Sequence, residues 1–153
     1  MEPIQFAGQK QWLTIAALSI ESDPALPSVG DVYVSVSVNS NGFVGSNDLW
    51  LDADALYRFY RELAALDKTL KGEVQLSSIS PDELKICVRA VSSRGNVAVS
   101  GTTGYWIASE NASFWHAISF GFEFEPNQIS AALRQSWLRS YGGSDAPPRP
   151  VLP

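Results

Sequence analysis

Val32, Val34, Val36 and Val38 alternate with Tyr33, Ser35 and Ser37, and the run stops at Asn39-Ser40-Asn41-Gly42. A period of two, with β-branched residues on one side and hydroxyls on the other, dictates a half-buried strand. Its semi-polar side predicts a face in water, which favours an antiparallel sheet over a parallel one covered on both faces. Asn41-Gly42 tolerates positive φ at both central positions and so predicts a tight hairpin into Phe43–Leu51. Gly45 inside that second strand marks a bulge or a close backbone approach. Asp52 then stands where a helix N-cap belongs, with Asp54 in the first turn, where the helix dipole favours an acid. Leu56, Phe59, Leu63, Leu66 and Leu70 fall on one stripe, and Lys71-Gly72 suits the last turn and the residue after it. The spacing predicts a helix over 53–71. Burying five such side chains contributes on the order of 7–15 kcal/mol before entropy is subtracted, so this helix packs on the sheet.

The rest of the chain extends the same alternation. Trp12–Ser22 reads as a strand ended by Asp23-Pro24 and a loop to Gly30. Glu73–Ile79 is a short strand, and Leu84, Ile86, Val88 and Ala90 alternate with Lys85, Cys87 and Arg89. Arg94-Gly95-Asn96 turns the chain into Val97–Ser100, and Gly101-Thr102-Thr103-Gly104 predicts a loop, bulge or kink. Phe114, His116, Ile118, Phe120, Phe122 and Phe124 share one side of a long strand, which predicts a central core strand. Pro126-Asn127 opens a second helix over 128–141, with Ile129, Leu133 and Trp137 on one stripe and Gly142-Gly143 as its stop. Residues 143–153 form a Pro-rich tail expected to be disordered or polyproline-like. No repeat or linker divides residues 1–142, so they read as one domain. The expected fold class is α+β: one twisted, mainly antiparallel sheet of about six to eight strands, covered by two helices.

Chemistry is scarce. His116 is the only histidine and lies among phenylalanines, where a structural role is the ordinary explanation; a small hydrolase would have to use it. Cys87, the only cysteine, cannot form an internal disulfide and reads as a strand filler. There is no Cys pair, no His pair and no calcium-type acidic loop, and neither a P-loop nor a G-x-G-x-x-G occurs. Hence no catalytic residue, no metal ligand and no cofactor is assigned. The apolar stretch Trp12–Ile20 is nine residues long and lacks a basic leader. A membrane span needs about 20 residues, so neither a span nor a signal peptide is expected, and a cytoplasmic address is the default.

Charge carries more. The net charge is −5, and the first 76 residues hold ten carboxylates against five basic groups. No Lys or Arg occurs between Gln11 and Tyr57, while Glu21, Asp23, Asp31, Asp48, Asp52 and Asp54 all do. Such a surface repels phosphate backbones, which disfavours nucleic acid. It is either a face kept solvated for solubility or a docking surface for a basic protein. Asp52 is set aside for capping. Glu21, Asp23, Asp31, Asp48 and Asp54 remain as candidate partner-binding residues. Among five tryptophans, Trp12, Trp50 and Trp137 have apolar surroundings that predict core positions. Trp106 and Trp115 are the better candidates for exposure, although core or edge packing is the ordinary explanation there too, and Trp106 joins the candidate binding set.

The order of motifs adds a resemblance. The valine strand, Asn41-Gly42-Phe43-Val44-Gly45, Asp48-Leu49-Trp50-Leu51-Asp52 and the Leu56–Phe59–Leu63–Leu66 helix together resemble bacterial WapI-type immunity proteins. The Leu84–Val88 strand, Arg94-Gly95-Asn96-Val97, the aromatic strand and the Glu125-Pro126 helix start are similar too, so the resemblance spans about Gln11 to Tyr141. It implies a cytoplasmic protein that neutralises a toxin by binding it, without catalysis. The Pro-rich tail and the Asp23–Gly30 loop depart from that pattern. The alternative is a structural or homo-oligomeric domain, such as a homodimer, that uses a sheet edge or exposed tryptophans.

Overall fold

A computed structural model describes residues 1–143. The valine strand is β3 (Val32–Ser40), with Val32, Val34, Val36 and Val38 wholly buried. It is flanked by β2 (Gln11–Ile20) and β4 (Phe43–Leu51), and β1 (Ile4–Gly8) lies outside β2, giving the order β1-β2-β3-β4. Asn41 and Gly42 both take positive φ, as the hairpin requires. The one register shift in this sheet is at Ala17/Ser19 of β2 rather than at Gly45. Gly45 is a close approach instead: a Cβ there would come within 2.8 Å of Ile118 Cγ2.

Helix α1 (Ala53–Thr69) follows, with Asp52 Oδ1 accepting from Asp54 N at 2.7 Å and Ala55 N at 3.2 Å. It stops two residues before the expected end because Leu70 itself takes the left-handed conformation and its N–H bonds Leu66 O. Leu56, Phe59, Leu63 and Leu66 are buried on one stripe. The chain then builds β5 (Glu73–Ser77), β6 (Leu84–Ala90), β7 (Val97–Ala108) and β8 (Ser113–Phe124) as a second meander, β5-β6-β7-β8. The expected single sheet is thus two antiparallel sheets of four strands each. Their edges do not pair. Instead β1, β3 and β4 lie against β8, and β4 also against β7, face to face. Phe6 and Phe124 meet across that interface with ring centroids 4.7 Å apart.

The Gly101–Gly104 segment is no loop, because β7 runs straight through it. A Cβ at Gly101 would stand 2.0 Å from Lys85 O, so glycine serves here for close strand approach. The long aromatic strand is not central either. β8 is a sheet edge; Phe120, Phe122 and Phe124 are buried in the core and Ile118 packs partly against it, whereas Phe114 is 54% exposed. The expected helix over 128–141 is two pieces, α2 (Asn127–Leu133) and α3 (Ser136–Arg139), joined through Gln135 in an extended conformation. Ile129 and Leu138 are both fully buried. In one straight helix, nine residues at about 100° each would set them on opposite faces, so the break is what lets both reach the core. Trp137 Nε1 then donates to Glu2 O at 3.0 Å, and the Tyr141 hydroxyl donates to Gly30 O. Burial pushes the Tyr141 hydroxyl well above its ordinary value, with Tyr57 and Asp31 adding to the shift. One cluster of buried side chains runs through both sheets and all three helices. The tail beyond residue 143 lies outside the described residues.

Candidate functional site

The register of β3 and β4 builds an acidic groove on the outer face of the first sheet. Leu49 and Leu51 point inward, so Asp48 and Trp50 must point outward, opposite Ser35 and Tyr33. Trp50 is therefore 42% exposed rather than a core residue, and its ring lies 5.2 Å from that of Tyr33 at 41°. The turn before β6 folds back beside them, where Ile79 N donates to Trp50 O at 3.1 Å. This turn brings in Glu83. Asn47 fixes the same turn by donating from Nδ2 to Glu83 O at 3.3 Å and to Gly104 O at 2.8 Å. The resulting groove holds about 610 Å³ and is lined by Glu21, Asp31, Asp48 and Glu83 around the Tyr33–Trp50 pair. Among the described residues none of its lining is basic.

The six sequence candidates fare differently. Glu21 and Asp48 line the groove, half-buried and exposed respectively. Asp31 also borders it but is only 7% exposed, and its Oδ1 accepts from Ala53 N at 2.9 Å. It is a support for the start of α1. Asp23 is exposed and turns its carboxylate onto Ala25 N at 2.9 Å, outside the groove lining. Asp54 is exposed in the first turn of α1 and also stays outside it. Trp106 is 66% exposed on a separate hairpin, its ring tilted 58° against that of Trp115 with centroids 5.4 Å apart.

Sequence reasoning missed Tyr33, Trp50 and Glu83. The strict alternation through Asp48-Leu49-Trp50-Leu51 already turns Trp50 outward once Leu49 and Leu51 are inside. Glu83 had no such signal, because a turn 33 residues further along the chain brings it beside Trp50.

Among the described residues, the cysteine and the histidine outside this groove do not come together as a reactive pair. Cys87 is on the outer side of β6 opposite Ser100, and His116 is on the core-facing side of β8 opposite Tyr105. They occupy opposite faces and are separated by five residues along β7, on the order of 16 Å, so they cannot act as a pair. Burial raises the Cys87 thiol, and the Glu73 carboxylate, which accepts from Sγ at 3.8 Å, raises it further against a smaller effect from Arg89. That is the opposite of an activated nucleophile. His116 is exposed, with its ring 6.1 Å from Tyr105. Among the described residues no three His, Cys, Asp or Glu side chains gather as a metal-ligand set, and no helix is long and apolar enough to cross a membrane.

The groove is thus a concave acidic surface with two aromatic faces. The model of the immunity protein WapI-like family matches residues 6–136, from β1 into the start of α3. No curated protein and no solved structure matches the chain.

Proposed function

The chain belongs to the WapI-like immunity protein family, and from that premise we propose that it neutralises a cognate toxin by binding it through the acidic groove, in the cytoplasm and without catalysis. The observation that carries this reading is the convergence of Glu21, Asp48 and Glu83 around the Tyr33–Trp50 pair. Three carboxylates and an exposed indole face suit one chemical type, the side chain of Arg or Lys. The carboxylates supply charge-assisted hydrogen bonds, and the ring attracts a cation set over its face within about 6 Å. A guanidinium fits better than an ammonium, since its plane stacks on the indole while its N–H groups reach the carboxylates.

The wider acidic surface adds to association. Asp23 and Asp54, both exposed, add negative charge outside the groove, which steers a basic partner and repels acidic or phosphate-bearing ones. A protein that blocks its target by occupying a basic surface needs no nucleophile or metal. It needs a rigid scaffold, which the two packed sheets supply.

The test is co-expression of the tagged protein with the product of the neighbouring upstream gene. A stable complex and restored growth support the reading. The Asp48→Lys, Glu83→Lys double variant should fold normally and lose both. No complex and no growth rescue by the natural protein would sink it.

A further inference from the structure

The second exposed feature is a ribbon that projects beyond the core. Tyr105–Ala108 of β7 and Ser113–Ala117 of β8 are exposed throughout. Cross-strand pairs put Tyr105, Ile107, Phe114 and His116 on one face, and Trp106 and Trp115 on the other, so the ribbon is apolar on both. Phe43 and Val44, 71% and 68% exposed, stand at the same place, because Gly45 rests on Ile118 and Ser40 on Gly121. Taking roughly 150–250 Å² for each fully exposed aromatic ring, these side chains present on the order of 700 Å². That exceeds the few hundred Å² usual for a monomer's largest apolar patch and approaches the ~800 Å² per partner of a standard interface.

The backbone says how it is covered. Gly121 N donates to Ser40 Oγ at 3.2 Å, so its peptide groups point away from β7. In an antiparallel strand the same orientation recurs at every second residue. Trp115, Ala117 and Ser119 therefore aim their N–H and C=O groups at an open edge. The remaining sheet edges are blunted. The Gln128 side chain bonds both Ala7 O (2.8 Å) and Ala7 N (2.7 Å) on β1. β4 is held at Trp50 by Ile79 and carries Asp48, and β5 is a five-residue strand bearing Glu73 against α1. Among the described residues, the uncharged, unbulged edges are the Ser113–Ser119 stretch of β8 and the shorter Tyr105–Ala108 end of β7 that runs past β6, and β8 offers the longer one, the kind that accepts another strand.

We propose that the occupant is a second copy of this chain, with β8 pairing antiparallel to its own symmetry mate about Ala117. Charge argues for this occupant. The protein carries −5, yet residues 95–122 contain one carboxylate, Glu110, and no Lys or Arg. A basic partner finds nothing here to pair with, whereas another acidic copy meets no repulsion. The register is self-complementary as well: Ala117 faces Ala117, the bulky Trp115 faces the small Ser119, and His116 faces Ile118. An isologous two-fold contact uses the same patch on both subunits, as this one does. Ser40 on Gly121 ends the pairing at one side and so limits the slippage to which edge strands are prone.

Light scattering and sedimentation of the full chain over a range of concentrations read the result. A dimer is expected. Ala117→Pro removes an N–H that β7 does not use and is compatible with an edge strand. Because a two-fold interface loses the same bond twice, the dimer should weaken about tenfold or more, with an unchanged circular dichroism spectrum. If Ala117→Pro misfolds, Ala117→Lys serves in its place, since it sets like charges directly opposite one another. In a Cys87→Ser background, Ala117→Cys should give a disulfide-linked dimer on oxidation. A monomer at every concentration overturns the proposal. So does a dimer that is indifferent to both Ala117 substitutions.

Discussion

Asp31→Ala separates a structural carboxylate from those proposed to bind a partner. Asp31 is 7% exposed and its Oδ1 accepts from Ala53 N at 2.9 Å, just where α1 begins. Asp52 takes the N–H groups of Asp54 and Ala55, so the two aspartates divide the first turn between them. Alanine at 31 removes a charged acceptor and leaves the buried Ala53 N–H without it. A hydrogen bond to a charged group contributes about 1.5–3 kcal/mol, and an orphaned buried donor costs at least as much as the bond did. The expected loss is therefore about 2–4 kcal/mol. For a chain of this length each kcal/mol moves Tm by roughly 2–4 °C, so Tm should fall by about 5–15 °C in a reversible calorimetric or circular-dichroism melt. Asp31→Asn keeps an acceptor of the same shape and should lose about half as much. Association with a basic partner, measured well below Tm, should change less than it does for Asp48→Ala. An Asp31→Ala protein that melts with the natural one, or loses binding at unchanged Tm, would refute this division of roles.

Trp50→Ala should cost less than about 1 kcal/mol of stability while weakening the partner complex, whereas Trp137→Ala, at a 2% exposed position, should cost about 3–5 kcal/mol in a denaturant titration. Gly101→Ala forces a Cβ to within 2.0 Å of Lys85 O and should destabilise by several kcal/mol or prevent folding, whereas Gly42→Ala meets no neighbouring atom and suffers only its φ of 90°. Tyr141 has its folded pKa raised above 10.0. Its contribution is fully present below pH 10 and is lost as pH climbs beyond it, because only the unfolded chain then releases the proton. Tyr141→Phe should therefore flatten the alkaline limb of a stability–pH profile above about pH 10, at the cost of the bond to Gly30.

How much the sequence disclosed follows from the range of the interaction concerned. Features set within a few residues were legible: the Asn41-Gly42 turn, the Asp52 cap, the α1 stripe and the inward valines of β3. Each depends on steric or hydrogen-bonding chemistry between near neighbours. Sheet membership was not legible, because alternation fixes which side chains share a face but says nothing about which edges join. β8 shows the same limit. Its even-numbered residues do share a face from Phe114 to Phe124, but the opposing sheet ends near Ile118, so Phe114 and His116 at the far end of that face stay exposed. The end of α2 was hidden for a related reason. Nothing in Arg134-Gln135 breaks a helix locally, and the demand comes from burying Ile129 and Leu138 in one core. At the groove, Asp48 and Glu21 were legible as charge, while Glu83 reached the site through the long-range contacts of Ile79 with Trp50 and of Asn47 with Glu83 O.

The two exposed surfaces differ in a way that bears on how one small protein could serve two contacts at once. The groove around Trp50 gathers carboxylates and has no basic group in its lining, so recognition of a basic partner there would be electrostatic, fast and weakened by salt. The β8 edge is nearly uncharged, so its recognition rests on backbone hydrogen bonds and apolar area, which salt does not screen. Raising ionic strength should therefore loosen a basic partner while leaving a β8-mediated dimer intact or tighter. β4 connects the two, with Val44 at the ribbon end and Trp50 at the groove end of one nine-residue strand. That spacing is on the order of 20 Å, far enough for both surfaces to be occupied together. A dimer formed through β8 would then present two acidic grooves, and a target carrying two basic patches would gain avidity from that pairing without any new contact. Ala117→Lys isolates this contribution, because it breaks the dimer at a residue that lies outside the groove lining. If the single-groove affinity of the monomeric variant equals that of the natural protein for a one-patch ligand, the surfaces act independently, as their separation in charge and space requires.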